Sequence, residues 1–525
     1  MKNDAFLNGV DDDQAFDGIG RRAVVIGSGF GGLAAAIRLS LRGWHVQVLE
    51  RLDQPGGRAR VHEQDGFRFD AGPTIVTVPH LFEELWQAAG RRLQDDVQLV
   101  PMDPFYRVRF DDGTHFDYCG DAARMRAEVA RISPTDVAGY EAFLREAEVC
   151  YQQGFVQLGS KAFDRFGDLL AAIPQLVRMR GWRSIWQMAC RHMQHPKLRI
   201  VFSFHPLLIG GNPLNVTCSY ALINTLERRF GVHWAMGGTG ALIRGMVKLL
   251  DGRGVPLRLN TDVKRICVEN GRACGVDVQT EHGPARIDAD IVVSNGDTAW
   301  TYRHLVEARH RRTWTDAKID RAKFSMGLFV WYFGTNRRWD DQPHHQMVLG
   351  PRYEGLLEDI FDHHKLTEDF SLYLHRPSAT DPSVAPAGCD AFYALCPVPH
   401  LDSGTDWARV ALGYQRRVLE RLEHTVLPGL GRHIVSSRVA TPQHFHDELL
   451  SFKGAGFGME PRLLQSAWFR PHNRSEDVKG LYLVGASTHP GAGVPGVLMS
   501  AKALEQVLPV LPPRPTPSLI RPANA

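Results

Sequence analysis

The sequence predicts an α/β protein of several domains, and three observations predict it. Near the N-terminus an apolar strand runs straight into a glycine cluster and then a helix. Near the C-terminus a second strand, glycine-rich loop and helix follow one another. Between the two, a mostly helical stretch and then aromatic, strand-like runs make up most of the 525 residues, too many for one hydrophobic core.

The elements follow in order. Ala23-Val24-Val25-Ile26 reads as a short apolar strand. Residues 33–41 read as a helix, with Leu33, Ala36, Ile37 and Leu41 near helical spacing, and Val46-Gln47-Val48-Leu49 as a second strand. Strand, helix and strand within about thirty residues form a βαβ unit of a doubly wound, Rossmann-like parallel sheet. From about 134 to 250 the pattern is helical, interrupted at Pro174, Pro196, Pro206 and Pro213. Short strands return over 255–293. Residues 325–333, 370–374 and 392–395 predict a second, mixed sheet. Residues 481–484 predict a late strand, and 497–510 the helix after it. The proline-rich tail from Leu511 is expected to form neither helix nor sheet.

Composition excludes several classes. Charged residues make up 23% and hydrophobic residues 44%, ordinary for a globular protein, and a net charge of +3 gives no general case for nucleic acid. None of the eight cysteines forms a C-x-x-C pair, so they read as small buried hydrophobes in a reducing compartment. The first twenty residues lack the pattern of a signal peptide, and no run of about 18 apolar residues predicts a transmembrane helix. The histidines are scattered. His344-His345 and His363-His364 read as loop residues, and no metal-ligand or Ser-His-Asp arrangement is visible, so no metal is expected.

Gly27-Ser28-Gly29-Phe30-Gly31-Gly32 fits G-x-G-x-x-G where it should, after a strand and at the opening of a helix. The glycines serve a tight turn, close approach to a pyrophosphate, and helix-on-strand packing. Glu50 closes the second strand, placed to accept hydrogen bonds from ribose hydroxyls. In Pro55-Gly56-Gly57-Arg58-Ala59 two glycines permit close backbone approach and Arg58 offers a fixed cation. Phe69-Asp70-Ala71-Gly72-Pro73-Thr74 predicts a rigid loop. The segment from Gly485, with Gly491, Gly493, Val494, Pro495 and Gly496, predicts a second helix N-terminus facing the ligand. Plain glycine-rich turns are the alternative at each place.

Together these residues resemble the glutathione-reductase-like flavoproteins. More finely, the chain is similar to the bacterial and fungal phytoene desaturases of the carotenoid desaturase and amine oxidase branch. The resemblance runs from 21 to about 510. It rests also on Leu207-Leu208-Ile209-Gly210-Gly211-Asn212-Pro213, Gly237-Gly238-Thr239-Gly240-Ala241, Phe370-Ser371-Leu372-Tyr373-Leu374-His375, and the stretches 465–473 and 483–496. It implies FAD, with contacts from Gly27, Ser28, Gly29, Gly31, Gly32, Glu50, Arg51, Gly57, Arg58, Gly72, Pro73, Thr74, Val263, Gly485, Gly493, Val494, Pro495 and Gly496. The implied division is an FAD-binding domain (21–105, 251–310 and 475–510), a mixed-sheet substrate domain (106–133 and 311–474) and a helical, membrane-facing subdomain (134–250), with flexible termini (1–20 and 511–525). The implied reaction takes 15-cis-phytoene by successive hydride and proton removals to a conjugated carotene. The expected product is all-trans-lycopene, and electrons pass on to a quinone or to oxygen. Asp168 matches an acid linked to proton handling in the family. Burial beside apolar substrate would raise its pKa and suit it to acid–base work, whereas a helix-terminal aspartate is the alternative. Tyr373 and His375 are candidates for a substrate tunnel. One departure stands out, Ser487, where relatives usually carry glycine.

Such a substrate dissolves in lipid and not in water. Residues 165–198 combine Leu169, Leu170, Ile173, Leu176, Val177, Trp182 and Trp186 with Arg165, Arg178, Arg180, Arg183, Arg191 and Lys197. That mixture predicts an interfacial helix on the cytoplasmic side of an anionic membrane; a surface helix packed on the protein is the alternative. Other readings are a different carotenoid desaturase or isomerase, an amine oxidase, or a non-catalytic isoprenoid carrier of the same fold. A homo-oligomer is left open.

Overall fold

A computed structural model describes residues 22–509. The termini expected to be flexible lie outside the described residues. At the centre of the nucleotide-binding part is a five-stranded, wholly parallel sheet. Its order is Leu481–Leu483, Ile291–Ser294, Arg22–Ile26, His45–Leu49 and Leu257–Arg258. Both faces are covered, so its inner strands are mostly apolar, as Ala23-Val24-Val25-Ile26 and Ile291-Val292-Val293 show. Ala23, Val25, Ile291 and Val293 pack with the helices Phe30–Leu41 and Val494–Val507. Val24, Val292 and Leu481 face the antiparallel meander Asp262–Glu269, Arg272–Thr280 and Gly283–Asp288. The first helix carries Ala34, Ala35 and Ala36, all buried, which let it lie close to the sheet.

A second sheet has seven strands, in the order Ile434–Ala440, Gly327–Thr335, Asp390–Val398, Leu372–His375, His345–Val348, Tyr106–Arg109 and His115–Tyr118. It is antiparallel except where His345–Val348 runs parallel to Tyr106–Arg109. Its strands alternate. Phe329, Trp331, Phe333, Phe392 and Cys396 pack on one face with the helix Trp407–Thr425. Val330, Tyr332, Tyr373 and Tyr393 belong to the opposite face, against the helical region.

The helical region holds Val137–Cys150, Phe166–Arg178, Ile185–His192, Pro196–Val201 and Leu222–Phe230. Three expectations need correction. Pro174 lies inside the helix Phe166–Arg178, at an exposed position, where it costs a hydrogen bond without ending the helix. The helix Thr239–Asp251 sits with the nucleotide-binding core through Leu242, Met246 and Leu249, because its apolar face matches that of Phe30–Leu41. The late helix begins at Val494, three residues before the expected start, with Pro495 in its first turn. Among the described residues no helix is long and apolar enough to cross a membrane.

Candidate functional site

One cavity of about 610 Å³ runs from the glycine-rich loops of the nucleotide-binding part to the helical region. The turn at its first end is built by exclusion of side chains. Gly27 has φ +89°, and a Cβ on Gly32 would stand 2.0 Å from the Gly27 carbonyl oxygen. Glu50 is buried and already oriented. Its Oε2 accepts from the Ser28 N–H (2.8 Å) and Ser28 Oγ (2.7 Å), and its Oε1 from the Leu52 N–H (3.0 Å).

Gly27, Gly29, Gly31, Glu50, Arg51, Gly57, Arg58, Gly72, Pro73, Thr74, Val263, Gly493, Val494, Pro495 and Gly496 line this cavity. Ser28, Gly32 and Gly485 stand behind the lining and shape it. Gly485 packs on Gly31, since a Cβ on Gly31 would meet its Cα at 3.2 Å. Arg58 is held by Ser451 Oγ (2.7 Å), while its buried Nε has no partner. The Val494–Val507 helix presents its N-terminus through Gly493. A tight glycine turn, an oriented carboxylate at a strand end, a half-buried guanidinium with an unused donor and a second helix start suit the phosphates and ribose of FAD.

Three residues of this end escape sequence reasoning. Asn295 is wedged among the glycines, its side chain within 4 Å of where Cβ atoms on Gly27, Gly29, Gly31 and Gly32 would be. Asp297 caps the turn after it, accepting from the Trp300 N–H (3.1 Å) and from Ser487 Oγ (3.1 Å). The departure at Ser487 thus has a partner. Burial pushes the Asp297 carboxyl up, opposed by the Trp300 N–H and the Arg58 guanidinium. A buried strand followed by Ser294-Asn295-Gly296-Asp297-Thr298 was the available signal, with Asp297 as a helix cap. Arg470, fully buried, donates to the Ala486 carbonyl (2.7 Å) and fixes the late loop. Beside it, burial pushes the His489 imidazole down to about 3.

Two motifs of the sequence meet away from the cavity. The Asp70 carboxylate accepts from the Thr239 N–H (3.1 Å) and would touch any Cβ on Gly238. It ties the hairpin Val61–Gln64 and Phe67–Asp70 to the helix Thr239–Asp251. Burial raises its carboxyl to about 6.

The far end of the cavity is apolar, walled by residues such as Leu169, Leu176, Leu356, Ile360 and Leu463. Within 134–250 the one carboxylate in the described lining is Glu227. It is buried on the helix Leu222–Phe230. Its Oε1 accepts from the Tyr106 hydroxyl (2.7 Å), while Oε2 stands 3.1 Å from His205 Nε2 without an aligned hydrogen bond. No local sequence signal marks it, since its partners come from two other segments.

Asp168 is elsewhere. It occupies the first turn of the helix Phe166–Arg178, its Oδ2 accepts from the N–H groups of Asp164 (3.2 Å) and Arg165 (2.9 Å), and Lys161 Nζ lies 3.4 Å away. It does not line the cavity. These donors and Lys161 outweigh its slight burial and hold its carboxyl below the ordinary value. The expected rise is therefore reversed, and Asp168 is a helix-start carboxylate.

Tyr373 lines the cavity, hydrogen-bonded to Thr74 Oγ1 (2.7 Å) and to His345 Nδ1 (2.6 Å). His375 does not line it. It is buried with His344 and His345, and burial pushes all three imidazoles well down, so they are neutral. His345 opens a strand and is no loop residue.

Of the six cations expected at a membrane surface, Arg183 pairs with Glu146 and Lys197 with Asp112. Arg165, Arg178, Arg180 and Arg191 are exposed. The helix Phe166–Arg178 has two apolar stripes. Leu169, Ala172 and Leu176 face the cavity, while Phe166 (58% exposed), Leu170 (52%), Ile173 (45%) and Val177 (55%) face outward, with Trp182 (64%) just beyond.

Comparison with known proteins agrees with this geometry. The phytoene desaturase (neurosporene-forming) of Cereibacter sphaeroides is 51% identical over 94% of this chain and 95% of its own. The phytoene desaturase (lycopene-forming) of Pseudescherichia vulneris is 46% identical over 93% and 99%. A wild-type putrescine oxidase bound to putrescine shares the fold, with a TM-score of 0.62 at 14% identity over 93% of this chain and 99% of that one. Residues 30–503 match the family described as flavin containing amine oxidoreductase. The chain belongs to that family, in its carotenoid desaturase branch, and its cofactor is FAD.

Proposed function

We propose that this chain is a phytoene desaturase that draws its substrate from a membrane. The observation that carries the reading is the single cavity joining an FAD-type cradle to an apolar chamber in a chain 51% identical to a phytoene desaturase. When bound, FAD accepts the hydride that leaves an allylic carbon. The protein's own share is to bind, orient and take the proton. The apolar far wall excludes water and holds a hydrocarbon chain by contact. Glu227 Oε2 receives the proton from the neighbouring carbon, with Tyr106 holding the carboxylate in place through Oε1.

The outward stripe of the helix Phe166–Arg178 lies on the bilayer, and its inward stripe is cavity wall, so one helix separates lipid from the site. The four exposed arginines favour an anionic leaflet. A quinone or oxygen would take the electrons onward.

The sequence-based expectation for the product is lycopene, after four desaturations. A second reading is neurosporene, after three, and the higher identity to the neurosporene-forming relative (51% against 46%) favours it. The test is pigment analysis of phytoene-accumulating cells that express the chain. Neurosporene or lycopene in the extract supports the reading and counts the steps. Persistent phytoene beside a purified protein that carries flavin overturns it.

A further inference from the structure

Beyond the cavity wall, the seven-stranded sheet gathers three histidines. His345 and His375 are register partners on adjacent antiparallel strands, so they share a face, and their rings stack with centroids 5.2 Å apart. His344, one residue before the strand, brings its Nε2 to 3.0 Å from His375 Nε2. All three side chains are buried, and one ring nitrogen from each lies within 4.8 Å of the other two.

Hydrogen bonding alone accounts poorly for this cluster. His344 and His375 can share a proton across 3.0 Å, but the buried Nε2 of His345 is left without any partner. An orphaned buried polar atom is costly and calls for an explanation. The outer nitrogens are already engaged. His344 Nδ1 meets Thr380 Oγ1 at 2.7 Å, and His345 Nδ1 meets the Tyr373 hydroxyl at 2.6 Å. That is how metal-bound histidines are held, one nitrogen on the ion and the other N–H on a neighbouring acceptor. Nitrogens about 2.0–2.1 Å from a tetrahedral zinc lie about 3.3 Å apart; the 3.0 Å between His344 and His375 is close to that value, and a ring nitrogen of His345 lies within 4.8 Å of both. The nearby cation of Arg376 is matched by Asp390 (2.9 Å) and Asp340 (3.0 Å).

We propose that His344, His345 and His375 bind a divalent first-row transition metal through their Nε2 atoms, with zinc the best fit. Three imidazoles without thiolate or carboxylate suit zinc, copper, iron or nickel over magnesium or calcium. Zinc adds no redox chemistry beside a flavin site. The metal would also set the direction of a hydrogen-bond chain. With Nε2 on the ion, His345 keeps its proton on Nδ1 and donates it to the Tyr373 oxygen. Tyr373 must then donate to Thr74 Oγ1, 2.7 Å away on the cavity wall. The ion thereby positions Tyr373. The proposal stands apart from the choice of substrate.

The experiment is metal analysis of the full-length flavoprotein, purified from cells grown with added zinc and, separately, with added cobalt. The expected result is about one equivalent of metal per chain after desalting, and a visible ligand-field spectrum for the cobalt form. His344→Ala and His375→Ala should each lose the metal while bound flavin absorbance reports an intact fold. Metal below about a tenth of an equivalent in both wild-type preparations overturns the proposal, whatever the variants do. Stoichiometric metal retained by both variants, with flavin bound, overturns it equally.

Discussion

Glu227 Oε2 is a buried carboxylate oxygen at the cavity wall without a hydrogen-bond partner. Glu227→Gln should lower the desaturation rate by about 10²-fold or more, the usual range for loss of a general base, with flavin still bound. Asp168→Asn should leave turnover near wild type, because that carboxylate serves its own helix. Turnover numbers of the two variants on phytoene in vesicles check this, and the reverse ranking would restore Asp168. Asp70 makes a prediction about stability. Burial raises its carboxyl from 3.8 to about 6, so the folded chain binds this proton more tightly than the unfolded one. Ionised Asp70 thus costs stability above about pH 6, and the cost fades as the pH falls toward 3.8. Relative to Asp70→Asn, the wild type should gain on the order of 1–3 kcal/mol between pH 7 and pH 4. Urea unfolding of both proteins at each pH measures it, and a constant difference would refute the linkage. The fingerprint glycines were legible because their spacing is a local pattern, and Gly27 with φ +89° and Gly32 against the Gly27 carbonyl leave no alternative. Glu227 was not, because Tyr106 and His205 reach it from different stretches of chain. For Asp168 the sequence left two readings, and the structure favours the helix-terminal one, since a carboxylate's direction is absent from the sequence while an acid in a helix's first turn is itself a cap signal.

At the scale of one element, the helix Phe166–Arg178 carries two apolar stripes where an ordinary surface helix carries one. The sequence showed the richness in apolar residues but not which stripe faced which medium, since both are built from the same residue types. If the outer stripe rests on lipid, Leu170→Glu with Ile173→Glu should abolish flotation with anionic vesicles and leave flavin content unchanged. Equal flotation of variant and wild type would put this surface against something other than a bilayer. The pairing of two of the expected cations, Arg183 and Lys197, also follows from packing. Each lies beside a carboxylate of another segment, Arg183 beside the half-buried Glu146 and Lys197 beside the exposed Asp112.

For the whole molecule, the alternation of strand and helix at both ends of the chain predicted the parallel sheet, and the aromatic runs predicted the mixed one. The allocation of the helix Thr239–Asp251 was missed, because it depends on which core completes its apolar face and not on where it falls in the sequence. The order of the parallel sheet has a consequence for biosynthesis. Its strands Arg22–Ile26 and His45–Leu49 leave the ribosome long before the edge strand Leu481–Leu483. At about 5–20 residues per second, Ile291–Ser294, the strand it pairs with, waits on the order of ten seconds or more for it. Throughout that interval the nascent chain displays an apolar sheet edge, so chaperone engagement should last until Leu483 has emerged, and truncated chains ending before it should aggregate.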